Sequence, residues 1–138
     1  MTTPTGRPSA AAVMTAYFGA LLSGDFASLD SLFADDVIWH QPGGGQLSGD
    51  YRGKQSLFGL FGRFMQLSGG TFQITEVGDV MVNGSLVAAS LRFGAARGDD
   101  RIDMPGVDLM RIVDGKIQEV WLFSGDQAAE DAFWSGAA

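Results

Sequence analysis

The segment Gly106 to Val120, GVDLMRIVDGKIQEV, constrains this chain more than any other. Two apolar-rich runs flank Asp114-Gly115. Asp-Gly in that setting predicts a tight hairpin turn, because the turn needs positive φ and Gly adopts it at almost no cost. The segment therefore reads as two antiparallel strands. Asp108 lies in the first of them, beside Val107, Leu109 and Met110. Burial among apolar neighbours raises a carboxyl pKa and can hold the group protonated near neutrality. A neutral carboxylic acid in an apolar pocket can donate a hydrogen bond to a substrate oxygen.

Upstream of the hairpin the apolar spacing is helical. Ser9 is a candidate N-cap, and Val13, Tyr17, Phe18 and Leu21 follow at near-helical intervals until Gly24. A shorter helix is expected over Phe26 to Phe33, with Leu29, Leu32 and Phe33 inward. Val37 to Gln41 reads as a short strand stopped by Pro42 and the glycines. Lys54 to Leu67 repeats large apolar residues at Leu57, Phe58, Phe61, Phe64 and Met65, which predicts a helix with a wide buried face. Strands are expected near Thr71–Val80, Leu86–Arg97, Arg101–Val113 and Ile117–Phe123, then a closing helical turn over Ala128–Trp134. Helices followed by a run of strands predict an α+β fold: a cone-shaped roll, its curved antiparallel sheet wrapped around about three N-terminal helices. Such a cone leaves an apolar cavity suited to a small molecule. Residues 1–8 lack periodicity and read as a loose tail, and residues 9–138 as one domain.

Composition narrows the chemistry. The net charge is −7 and no Lys/Arg stripe exists, which argues against nucleic acid and anionic membrane surfaces. There are no cysteines and one histidine, so thiolate catalysis and multi-His metal sites are excluded. The acidic residues show no calcium-loop spacing, and no cofactor is called for. Ser9 to Gly24 is uncharged, but Thr15, Gly19 and Ser23 dilute it and no A-x-A site follows. It reads as a domain helix, and the expected location is cytoplasmic.

Tyr17-Phe18-x-x-Leu21-x-x-Gly24-Asp25, Leu32-Phe33-Ala34-Asp35-Asp36, the glycines and tyrosine of Gly49-x-Tyr51-x-Gly53 opening the third helix, and the Asp114-Gly115-Lys116-Ile117 turn occur in that order. Together they resemble the nuclear transport factor 2-like superfamily, and within it the ketosteroid-isomerase and SnoaL-like polyketide-cyclase group, from about Ala10 to Trp134. The resemblance implies a small apolar ligand, a homodimer, and acid–base chemistry such as isomerisation, cyclisation or hydration. Tyr17 stands where the isomerase pattern has its oxyanion tyrosine, and Asp108 where it has a protonated aspartic acid. The aspartate that serves as its general base is replaced by Gln41, before Pro42. An amide cannot take a proton from carbon at neutral pH, so steroid isomerisation is not expected. In the cyclase branch an acidic residue on a late strand is the base, a role open to Asp108. A non-catalytic ligand-binding or association module of the same fold is the alternative.

Catalytic candidates are thus Asp108, Tyr17 and His40. The sole histidine could act as a base near neutral pH. Strand alternation places it opposite Gln41, unless Pro42 and the glycines disturb the pleat. Trp39, Gln41, Met110, Trp121 and Phe123 are candidates to line the cone. Arg101-Ile102-Asp103 superficially matches an epoxide-hydrolase segment, and Met104-Pro105-Gly106 is expected to break the strand with a bulge. Arg92 and Arg111 could pair with carboxylates across the sheet.

Overall fold

The computed structural model describes residues 8–136, so all of the expected tail except Pro8 lies outside the described residues. Among the described residues, four helices lie against one six-stranded, unclosed sheet in an α+β cone. Helix α1 spans Ala10–Ser23. The Ser9 hydroxyl caps it by accepting from the Ala12 amide at 3.1 Å, and Gly24 ends it at φ 70°. Helix α2 is Phe26–Leu32, capped by the Asp25 side chain. Helix α3 is Lys54–Leu67 and α4 is Gln127–Ser135.

The strands are β1 (Phe33–Gln41), β2 (Gly49–Arg52), β3 (Gln73–Asn83), β4 (Leu86–Arg97), β5 (Asp100–Val113) and β6 (Lys116–Ser124), in the spatial order β2-β1-β6-β5-β4-β3. The sheet is not wholly antiparallel, because β1 runs parallel to β6. Two expectations about its first strands are corrected. Phe33 opens β1 instead of ending α2, and its register to β6 is broken between Phe33 and Ile38, where exposed Asp35 and Asp36 bulge away. Gly49–Arg52 forms an edge strand on β1 before α3 begins. Phe33 is fully buried, with its ring edge-on to Tyr17 at 5.9 Å and to Phe58 at 6.0 Å. It therefore ties the sheet to α1 and α3, two of the helices that line the cavity. Edge-on pairs of this kind contribute about 0.5–1.5 kcal/mol each beyond the area they bury.

The β5–β6 hairpin turns at Asp114 (φ 53°) and Gly115 (φ 76°), with Val113 opposite Lys116. Two consecutive positive-φ residues are what a type I′ turn requires. The expected bulge at Met104-Pro105-Gly106 is absent. Pairing of β5 with β4 runs unbroken from Asp100 to Arg111, and Ile102, Met104, Asp108, Met110 and Ile112 all point inward. The Pro105 carbonyl accepts from the Gly125 amide at 2.8 Å, on the β6 side, where the ladder ends at Ser124. The missing Pro105 N–H therefore faces a side with no ladder partner, and the pairing with β4 loses nothing.

The bulge lies elsewhere, in β6. Ile112 pairs with Ile117, but Arg111 pairs with Glu119, so Gln118 is an extra residue. One extra residue exchanges the two faces of every residue beyond it. Val120 and Leu122 therefore face inward, and Trp121 and Phe123 face out. No helix among the described residues is long and apolar enough to cross a membrane.

Candidate functional site

A cavity of about 600 Å³ opens between the helices and the concave face of the sheet. Its walls are mostly apolar and rich in aromatic rings: α3 supplies Phe58, Phe61 and Phe64, the sheet supplies Trp39 and Phe93, and Phe72 precedes β3. Tyr17, Gln41, Asp108, Ser124 and Glu130 are among its polar lining residues. None of the lining residues is Lys, Arg or His, so an anionic ligand would meet no counter-charge.

Asp108 sits at the centre of the sheet wall, between Ala89 of β4 and Leu122 of β6. It is 6% exposed, and no hydrogen bond joins its carboxyl to another described residue. Burial pushes its pKa up to about 7, because removing a carboxylate from water without a partner penalises the charged form. Tyr17 reaches the same cavity from α1, with only 2% exposure. Burial, and secondarily the Asp108 charge, raise its pKa well above the ordinary phenol value. The phenol therefore keeps its proton and acts as a donor. Gln41 is 7% exposed on the neighbouring wall, and its Oε1 accepts from the Trp39 indole Nε1 at 3.0 Å. Asp108, Tyr17, Gln41 and Trp39 thus meet around one cavity.

Most of the other sequence candidates lie elsewhere. Met110 is fully buried in the core and does not line the cavity. Trp121 is on the outer face of the sheet and does not line the cavity, whereas Phe123 is among the lining residues as expected, though 57% exposed. The Gln118 bulge is the reason that Trp121 is displaced, and Leu122 holds the inward position opposite Asp108. Asp103 is also outside, paired to Arg92 at 3.2 Å, which removes the epoxide-hydrolase reading of Arg101-Ile102-Asp103.

His40 points away from the cavity, as alternation with inward Trp39 and Gln41 requires. Its Nδ1 lies 2.7 Å from Asp50 of β2 and its Nε2 2.6 Å from Glu119 of β6. The ring stacks on Trp121 at 5.5 Å. Arg111 also approaches Glu119, at 3.5 Å, and lies over Trp121. Burial lowers the imidazole pKa, but the bonds to Glu119 and Asp50 outweigh it and the net shift is upward. A raised cation pKa gives stability that is complete below the ordinary histidine value and lost as pH rises through the folded one. His40→Phe, made in an Asp108→Asn background to silence the other titration, should remove that loss of stability above about pH 6.5. Urea midpoints across pH 5.5–8.5 test it. An unchanged profile would mean that the two carboxylates do not hold the ring.

Glu130 is a cavity residue that the sequence did not disclose. It is 5% exposed on α4. Its Oε1 accepts from Ser124 Oγ at 2.6 Å and Gln127 Nε2 at 3.1 Å, and its Oε2 from Trp134 Nε1 at 3.2 Å. The neighbouring Asp131 accepts from the Gly44 amide at 2.8 Å, and a Cβ at Gly43 (φ 91°) would collide with the Asp131 carboxylate. These contacts seat α4 against the loop after β1. No group of three or more His, Cys, Asp or Glu that could hold a metal ion occurs among the described residues.

A family model described as SnoaL-like domain matches residues 14–120. A Xanthomonas campestris protein of unknown function with a cystatin-like fold is 44% identical, covering 93% of this chain and 99% of its own, with a TM-score of 0.89. Bal32a, from a soil-derived mobile gene cassette, is 29% identical over 91% of this chain and 95% of its own, with a TM-score of 0.85. TerC, crystallised with polyporic acid, is 17% identical over 91% of this chain and 98% of its own, with a TM-score of 0.79, a likeness of fold alone. No curated protein matches significantly.

Proposed function

Because the chain belongs to the SnoaL-like domain family of the nuclear transport factor 2-like superfamily, we propose that it binds a small, largely apolar organic molecule with a carbonyl-type oxygen and performs acid–base chemistry on it. The observation that carries this reading is Asp108: buried, unpartnered, facing the cavity, with a pKa of about 7. A group with that pKa is present in both protonation states near neutrality, which is where a general acid or base is most effective. Protonated, Asp108 donates to the substrate oxygen; ionised, it takes a proton from an adjacent carbon. Tyr17 adds a second donor. Isomerisation and cyclisation need no further reactant beside this pairing, whereas hydration also consumes one water from solvent.

Gln41 favours a second reading, a non-catalytic binding module, because an amide stands where the isomerase pattern has its base. A thermal-shift screen of neutral polycyclic ketones and quinones separates the two. A ligand that the wild type converts, and that Asp108→Asn binds but converts at least 100-fold more slowly, supports catalysis. Bound ligands recovered unchanged from the wild type support the module.

We also infer a cytoplasmic homodimer, with the pairs Leu109/Trp121 and Val107/Phe123 on its outer sheet face. Phe123 and Met81 are largely exposed there. Sedimentation velocity of the free chain tests it, and a species of single-chain mass would remove it.

A further inference from the structure

The Trp39–Gln41 contact fixes more than packing. An indole N–H can only donate, so the Gln41 atom facing it is the carbonyl oxygen, however the amide is drawn. The amide NH₂ is then directed away from Trp39. It has no hydrogen-bond partner among the described residues, although Gln41 is only 7% exposed and lines the cavity. Register locates this donor. Trp39 pairs with Val120 and His40 with Trp121, which sets Gln41 beside Leu122, and Leu122 pairs with Asp108 on its other side. Gln41 and Asp108 therefore lie in one row, two strand spacings apart, about 10 Å between Cα atoms. Only the apolar Leu122 stands between them.

We propose that Trp39 is a positioning residue that locks Gln41 as a hydrogen-bond donor, so that the cavity recognises a second ligand oxygen besides the one at Asp108. This rests on the reading of the cavity given above, and it narrows the ligand to a flat, neutral molecule with two separated acceptor oxygens, as on opposite sides of a quinone ring. Gln41 is here a specificity-determining donor instead of a defective base. A buried donor left without an acceptor is costly, so a ligand lacking the second oxygen is rejected.

The probes are 9,10-anthraquinone and anthracene, which share one outline and differ in two carbonyl oxygens. The wild type should bind the quinone at least about 10-fold more tightly. Gln41→Leu should reduce that preference about 10-fold, in part by binding anthracene more tightly because no donor is then left without an acceptor, and Trp39→Phe should reduce it by a similar factor. The double variant should lose no more than Gln41→Leu alone, because both act on one bond. A Trp39→Phe protein that keeps the full preference overturns the proposal, as does a wild type indifferent to the carbonyls. Asp108→Leu distinguishes the two readings. If it leaves the preference intact while Gln41→Leu abolishes it, the role given to Asp108 falls and the present one stands. A ligand-free measurement covers the case where Trp39→Phe does not fold. The Trp39 indole proton resonance should move upfield in Gln41→Leu, and an unmoved resonance overturns the proposal.

Discussion

Between pH 4 and pH 8, Asp108→Asn should gain about 4 kcal/mol of stability relative to the wild type, read from urea midpoints. The unfolded aspartate ionises near the model value of 3.8, and the folded one near 7. Between those values the folded state holds a proton that the unfolded state has released. Stability of the wild type therefore falls as pH rises through this window, by about 1.4 kcal/mol per unit of separation at most. Asn resembles the neutral acid in shape and has no proton to lose, so it does not share the decline. Any cost of the amide itself is present at pH 4 and drops out of the comparison. Parallel profiles for the two proteins would show that Asp108 titrates normally, and the proposed chemistry would lose its acid. The predicted gain also explains why a carboxyl at this site is informative. An unpaired acid at the centre of a sheet weakens the fold at neutral pH, and such a weakness is typical of groups held for function.

Asp108 was legible in the sequence because its evidence is local. The Asp114-Gly115 turn and the alternation along β5 put it on the buried face whatever the rest of the molecule does. The helices were legible for the same reason: Ser9, Gly24 and the aromatic spacing of α3 act over a few residues. The final strand was not. A two-residue turn read without interruption places Trp121 opposite Asp108, and only the Gln118 bulge replaces it with Leu122. Nothing local marks a bulge at Gln118, since the parallel strand β1 and its partners decide whether the shift is favourable. The edge strand Gly49–Arg52 failed similarly. Its four residues have no apolar alternation, and β1 alone induces the pairing. The alternation of His40 against Gln41 was legible, but its place among the catalytic candidates is corrected, since the ring lies off the cavity on Asp50 and Glu119, partners from strands on either side that could not be anticipated.

Glu130 is the clearest case of a site residue set by tertiary partners, and its removal should be the second large effect. Glu130→Ala should cost about 3 kcal/mol, and Glu130→Gln about 2 kcal/mol. Three donors converge on this carboxylate from β6 and from α4 itself. Ser124 and Gln127 are only partly buried, so water can replace what they lose. Trp134 is 2% exposed, and its N–H has no such substitute. Gln can still accept from Ser124 and Gln127 through its one oxygen, but it then turns an NH₂ toward the Trp134 N–H, donor against donor. Ala removes every acceptor and leaves a void beside the ring. The consequence reaches the cavity, because the Trp134 ring lies on Phe64 and Phe72 at 5.0 and 5.7 Å, and both of those line the wall. Both variants should therefore bind apolar probes more weakly even at temperatures where they remain folded, with Glu130→Ala the worse. A Glu130→Gln protein as stable as the wild type would mean that Trp134 does not depend on the carboxylate. Helix α4 would then be held by its apolar face and by the Asp131–Gly44 bond, and the cavity wall would be independent of its one missed acid.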